Sequence, residues 1–267
     1  MSDCLKLVQI TDTHLFESPQ DELLGVNTLN SFHAVLEQVQ AKHADMDALL
    51  MTGDVSQDHT QASYLRFEEA ITALDIDAPC YWLPGNHDDQ SFMFPSLLDS
   101  RICQDKLVQL NDAWQAILLD SQVRGVPHGV LCDEQLAFLE QSLTEQPDKF
   151  SFILLHHHPL LAQSDWLDNH CLKNSQALWQ LLSRFPNAKI MVCGHIHQEM
   201  NILHQGVTVM STPSTCVQFK PNSNDFAVDH LSPGWRTFNL YPDGRFESKV
   251  ERLPQGQFMP DLGSTGY

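Results

Sequence analysis

Five times in this chain a short apolar run breaks into a polar cluster rich in Asp, Asn and His. "LKLVQ" leads into "ITDTH", "ALLMT" into "GDVSQD", "CYWLP" into "GNHDD", "SFILL" into "HHHP" and "AKIMV" into "CGHIH". Short apolar runs bounded by turn residues read as buried strands. In sheets with helical connections, functional residues gather in the loops beyond the strand ends. A lone histidine is ordinarily a solvated or hydrogen-bonded side chain. Reading all five clusters as mere strand-end turns would require five coincidences in order. The pattern therefore predicts an α/β chain in which five strand ends converge on one place.

The segments between the runs carry a helical period. Leu29, Phe32, Leu36 and Val39 recur at spacings of three or four, as do Phe67, Ala70, Ile71 and Leu74, and later Leu178, Leu181, Leu182 and Phe185. Asn174 is predicted to cap the last of these helices. Further on, "GVTVMS" is extended, and "WRTFNLYPDGRFESKV" reads as two strands around a Pro-Asp-Gly turn. A chain of 267 residues with 42% apolar content buries a substantial core. With no linker, repeat or low-complexity tract, the expectation is one domain over residues 1–252 and a loosely held tail over 253–267.

"MSDCLKLVQITD" lacks the basic start and long apolar stretch of a signal peptide, and no run approaches the length of a membrane span. A soluble, cytoplasmic protein with no membrane partner is expected. Seven cysteines without a CxxC pair argue for reduced thiols. A formal charge of −19, with only 15 Lys and Arg along the chain, argues against a nucleic-acid partner. It leaves room for a small phosphate, because bound divalent cations reverse the local sign. The oligomeric state is not encoded in any of these features.

The clusters mix carboxylates, an Asn amide and imidazoles, which suits Mn, Fe or Zn. So many ligands fit two metals better than one. Two ions about 3.5–4 Å apart form a hydrolytic device in which a hydroxide held between them attacks phosphorus. An Asp at the end of a central strand is the natural bridge. Alternation along an extended chain puts His156 and His158 on one side and His157 on the other.

The ordered set Asp-x-His, Gly-Asp, Gly-Asn-His-Asp, His-x-Pro and Gly-His-x-His resembles the calcineurin-like metallophosphoesterases. That resemblance implies a four-layer sandwich of two mixed β-sheets flanked by α-helices. Beyond the motifs, "LLGVNT", "WLDNH", "CGHIHQE", "STPSTCVQFKP" and "PGWRTFNL" are similar to the bacterial class III 3′,5′-cyclic AMP phosphodiesterases. The implied activity is hydrolysis of cyclic AMP to 5′-AMP at two metals, Fe and/or Mn with Zn as a further option, and the implied partner is a cyclic nucleotide. Asp12, His14 and His197 would hold the first metal, Asn86, His157 and His195 the second, and Asp54 would bridge them.

His87 would stand beside the phosphate as proton donor or charge stabiliser, and His14, Asp54, Asn86, His87 and His197 would contact substrate. Two divalent ions, two carboxylates and a hydroxide leave about +1, which matches a phosphodiester. One position departs from the pattern. Relatives carry an acidic residue three positions after the bridging Asp, where Gln57 stands here, followed by Asp58. Either Gln57 or Asp58 is then expected to orient His87. His156 is expected to pack behind the ligands and His158 to lie at the rim. The alternatives are another phosphodiesterase or phosphomonoesterase of the same fold, since substrate choice lies in the loops, and a non-catalytic metal-binding scaffold, which missing ligands would mark.

Overall fold

Alternation along the central strands decides the layers. In Leu5–Ile10, Leu5 and Leu7 join one apolar cluster while Val8 and Ile10 join another. Ala48–Thr52 divides in the same way, with Ala48 and Leu50 on one side and Leu49 and Met51 on the other. Phe150–Leu154 and Ala188–Cys193 send Phe152, Leu154, Ile190 and Val192 into the shared cluster, and Ile153, Met191 and Cys193 into a third. A strand that is apolar on both faces needs cover on both. Each fully buried Leu or Ile contributes about 1.5–3 kcal/mol, so the choice of face is strongly enforced.

The computed structural model describes residues 4–98 and 101–266. Met1 to Asp3 and Tyr267, the outer ends of the expected domain and tail, lie outside the described residues. One six-stranded sheet runs in the order 246–252, 234–240, 5–10, 48–52, 80–83, 102–103. The other runs 200–204, 207–211, 188–193, 150–154, 114–118, 107–109. The central strands of each are parallel; the second sheet is antiparallel at both edges, and the first only at the edge of the Pro-Asp-Gly hairpin, its other outer strand, 102–103, pairing parallel with 80–83. The sheets pack face to face. Helices Thr28–His43 and Gln61–Thr72 cover the first through Phe32, Val35 and Phe67, and helices Asp133–Glu145 and Ser175–Leu182 cover the second through Leu139, Leu178 and Leu181. The fold is the four-layer sandwich of two mixed sheets flanked by helices.

Both sheets end their parallel strands at one edge of the sandwich. Gln9 ties them together there: its amide donates to Thr52 Oγ1 (2.8 Å) and to the Cys193 carbonyl (3.2 Å), and accepts from Thr212 Oγ1 (2.6 Å). Two expectations need correcting or completing. Asn174 stands at the N-cap of its helix as expected, but its side chain makes no capping bond, because its amide pairs with both backbone groups of Leu131 (3.0 and 2.7 Å) and pins the loop there. The segment after Leu253 meets the body at several points: Phe258 packs against two apolar clusters, the Asp261 N–H donates to the Leu24 carbonyl (2.7 Å), and Gly266 borders a cavity beside His87. Among the described residues, no helix is long and apolar enough to cross a membrane.

Candidate functional site

Five of the seven residues expected to bind metal sit in a backbone conformation that side chains seldom adopt. Asp12, His14, Asp54, His195 and His197 have φ of +54°, +46°, +53°, +68° and +47°. Asp and His tolerate this region better than most residues, yet each instance costs about 1–3 kcal/mol. Backbone hydrogen bonds hold the geometry: Asp12 N–H to the Gly53 carbonyl (3.0 Å), His14 N–H to the Asp54 carbonyl (3.0 Å), and Ile196 N–H to the Gly194 carbonyl (2.8 Å). The consequence is local. Residues two apart, 12 with 14 and 195 with 197, turn their side chains into the cluster, where Asp12, His14 and His197 form one group and His195 joins another.

Glycines allow the close approach. A Cβ on Gly85 would lie 2.1 Å from Asp54 Oδ1, one on Gly194 2.7 Å from Asp12 Oδ2, and one on Gly129 2.4 Å from His157 Cγ. The loops around Asp54 and Asn86 are joined by Asp88, whose buried carboxylate accepts from the backbone of Gly85 (2.8 Å), Val55 (3.0 Å) and Ser56 (3.1 Å). Burial and the nearby Asp54 charge push Asp88 up to about 7, against the pull of those N–H donors.

The imidazoles are oriented by their outer nitrogens. His197 Nδ1–H donates to the Val217 carbonyl (2.9 Å) and His14 Nδ1–H to Gln57 Oε1 (2.7 Å), so both Nε2 lone pairs face inward, 3.1 Å apart. His197 Nε2 is also 3.4 Å from Asp12 Oδ1, and His14 Nε2 3.9 Å from Asp54 Oδ2. His157 Nδ1 pairs with Ser121 Oγ (2.8 Å), leaving its Nε2 buried and without a hydrogen-bond partner, as is His195 Nε2. The two rings lie 4.8 Å apart. Lone pairs and carboxylate oxygens facing one another repel unless positive charge lies between them. The donor set of imidazole, carboxylate and amide oxygen is the kind that divalent transition metals take, so the site fits a metal pair.

The ionisation of the cluster expresses the same demand. Burial alone would raise Asp54, but the His156 and His87 rings hold it well below the carboxylate range. Burial also depresses His14, to about 3, and holds His157 and His195 well below the histidine range. His156 is the exception: against burial, the Asp54 carboxylate raises it to about 9. A cation among these atoms supplies the charge that this proton otherwise supplies.

His156 is the residue that sequence reasoning missed. Its Nδ1–H donates to the Thr52 carbonyl (2.7 Å), and its Nε2 lies 3.2 Å from both Asp54 Oδ2 and Asn86 Oδ1. It thus shares a centre with His157 and His195, and with Asp12 and Asp54, ligand atoms in each group lying within 4.8 Å of one another. The extended strand stops at Leu154, so alternation no longer separates the histidines that follow. His158 is not at a rim. It is fully buried, its Nε2 is 3.5 Å from Asp168 Oδ1, and its ring stacks on His195 at 5.5 Å.

Asn86 and His87 meet the cluster from the Gly-Asn turn. The His87 N–H donates to Asp54 Oδ1 (2.8 Å), and its ring stands edge-on to His14 at 5.1 Å. Burial, then neighbouring imidazoles, keep His87 below the usual histidine range, so near neutral pH it presents a neutral ring. Gln57 and Asp58 do other work than orienting His87: Gln57 holds His14, and Asp58 accepts from Glu17 N–H (2.6 Å), Thr60 Oγ1 (2.8 Å) and Thr60 N–H (3.2 Å). The loop between Asp54 and helix Gln61–Thr72 turns Asp58 towards its own backbone.

A two-sheet sandwich with a histidine and aspartate cluster at the joined strand ends defines a metal-dependent hydrolase of phosphate esters. The chain belongs to the calcineurin-like phosphoesterase family, whose pattern matches residues 5–199. It is 56% identical over 263 residues to a 3′,5′-cyclic adenosine monophosphate phosphodiesterase of Vibrio vulnificus (strain CMCP6), covering 98% of this chain and 95% of that protein. It is 47% identical, with the same coverage, to the enzyme of that name from Escherichia coli (strain K12). Among solved structures, a dimetal phosphatase from Danio rerio superposes with a TM-score of 0.62 at 15% identity, over 93% of this chain and 98% of that one, which supports the fold.

Proposed function

We propose that this protein hydrolyses 3′,5′-cyclic AMP to 5′-AMP and so lowers the intracellular level of that nucleotide. The observation that carries the reading is similarity to cyclic AMP phosphodiesterases over 98% of the chain, supported by the cluster of Asp, His and Asn side chains at the strand ends. In this reading Asp12, His14 and His197 would hold one divalent cation, Asn86, His195 and the adjacent His156 and His157 a second, His156 being the one beside Asn86 and Asp54, and Asp54 would serve both. Bound there, the cation pair supplies activation of water and stabilisation of the negative charge on phosphorus. The mixed donor set of imidazole, carboxylate and amide oxygen suits Fe and Mn, with Zn a further option.

The chain's own residues do the rest. Gln57 and Val217 fix the tautomers of His14 and His197, Ser121 holds the His157 ring in place through Nδ1, and Asp88 keeps the Asp54 and Asn86 loops in register. His87, held by its N–H on Asp54, places a neutral ring beside the phosphate, where it donates an N–H to the leaving oxygen or to the developing charge. The test is a rate panel at defined metal: 3′,5′-cyclic AMP, cyclic GMP, 2′,3′-cyclic AMP, a glycerophosphodiester and an aryl monoester. Cyclic AMP should give the highest kcat/KM. A strong preference for the monoester overturns the reading.

A further inference from the structure

The cluster opens onto two cavities. One, about 490 Å³, passes Asn86 towards Gln90, Gln122 and Arg124 and has Asp88 and Asp89 on its wall. The other, about 330 Å³, passes Asn86, His87 and His195 and ends against Trp166, His170 and Phe226. We propose that the second cavity receives the nucleoside half of the substrate and that Trp166 is the residue that selects for a purine base there. This rests on the cyclic-nucleotide reading and adds to it the base subsite.

A purine offers flat apolar faces ringed by hydrogen-bond acceptors, and such bases are held by aromatic side chains. The second cavity provides that surface and the first does not, since carboxylates and amides dominate its wall. Trp166 is itself wedged in place. It packs edge-on against Phe219 at 4.9 Å and Phe226 at 5.1 Å, and Phe219 lies flat on the His197 ring at 4.2 Å. An aromatic path therefore runs from a proposed metal ligand to the cavity wall. The Trp166 Nε1–H is itself buried, so what this half-buried residue offers the cavity is its ring.

The third histidine of the run explains how this wall keeps its distance from the chemistry. Trp166 lies on the short helix Asp165–Asp168, whose Asp168 accepts from the Ala162 N–H (2.7 Å) and faces His158 Nε2 at 3.5 Å. His158 in turn stacks on His195. The same strand end that bears His156 and His157 thus sets the helix that bears Trp166.

The experiment compares Trp166→Ala, Trp166→Phe and Arg124→Ala with the wild type, all loaded with manganese and checked for metal content. Two substrates are used: 3′,5′-cyclic AMP, and bis(4-nitrophenyl) phosphate, a diester without a base. Trp166→Ala should raise KM for cyclic AMP about 10- to 100-fold, keep both metals, and leave kcat/KM for the aryl diester within about threefold. Trp166→Phe should recover most of the loss, and Arg124→Ala should leave cyclic AMP kinetics near wild type. Equal losses on both diesters, or a KM effect at Arg124 with none at Trp166, overturn the inference. A wild type that cleaves the aryl diester but not cyclic AMP overturns the functional reading itself, a failure visible before any variant is made.

Discussion

Gly129→Ala isolates the demand for close approach at a proposed ligand. Gly129 does not have a left-handed φ, so alanine adds a contact and no backbone strain. The added Cβ would lie 2.4 Å from His157 Cγ and 2.5 Å from His157 Nδ1. Carbon atoms pack comfortably at about 3.5–4.0 Å, so the contact is short by about 1 Å. The loop resists retreat, because the Gly129 carbonyl accepts from Lys173 N–H (2.8 Å) and its N–H donates to the Cys171 carbonyl (3.3 Å). The ring resists too, being fully buried and held by Ser121.

Overpacking of this kind costs about 1–3 kcal/mol, which for a chain of this size lowers Tm by roughly 2–10 °C. Displacing a ligating group by about 1 Å costs about 10² in rate. Gly129→Ala should therefore lose part of its bound metal and about 10² in kcat/KM, read by metal analysis and a steady-state assay. Gly206→Ala is the control: its φ is +87° and nothing lies within 4 Å, so it should cost stability without activity. A Gly129→Ala protein with two metals, wild-type Tm and near-normal turnover would refute the reasoning.

The remaining predictions concern single side chains. His87→Ala should keep its metals and lose about 10²–10⁴ in turnover, less for substrates with good leaving groups if its role is proton donation; metal loss would make it a ligand instead. Gln57→Ala should weaken metal retention about 10- to 100-fold by freeing His14. Asp58→Asn should cost about 1 kcal/mol of stability and leave the pH profile of kcat unchanged, and the reverse ranking in a metal titration and pH series would restore Asp58 as the partner of His87.

Lys106, pushed down to about 8 by burial as it lies over the Trp82 ring at 3.9 Å, provides a test far from metals. Between pH 8 and about 10.4 the folded chain lacks a proton that the unfolded chain holds, so its stability rises with pH by up to about 3 kcal/mol. Lys106→Met should lose that rise, and parallel pH curves of denaturant unfolding for the two proteins would contradict it.

The layers were legible because strands buried on both faces and helices buried on one leave different periods, as Leu49 to Met51 and Phe32 to Val39 show. The site was legible as far as each strand ran straight. Asp12, Asp54, Asn86, His195 and His197 all fall just past a strand end and meet there. What the sequence hid begins where the chain stops being extended. Period-two reasoning separated His156 from His157, but the turn after Leu154 brings both to one centre. The positive φ values of the ligands are likewise set by tertiary hydrogen bonds, such as His14 N–H to the Asp54 carbonyl, and leave no mark in composition. Gln57 was placed at the right spacing but its partner was wrong, because loop conformation, and not spacing, decides between His14 and His87.

The C-terminal segment bears on the cavity beside His87. Once Asp261 is fastened to Leu24, the chain has only a few residues in which to arrive at Gly266 on the wall of that cavity. Bulk added at Gly266 would therefore narrow the space beside His87 and His195, so a residue far from every proposed ligand in sequence has a say in what reaches them.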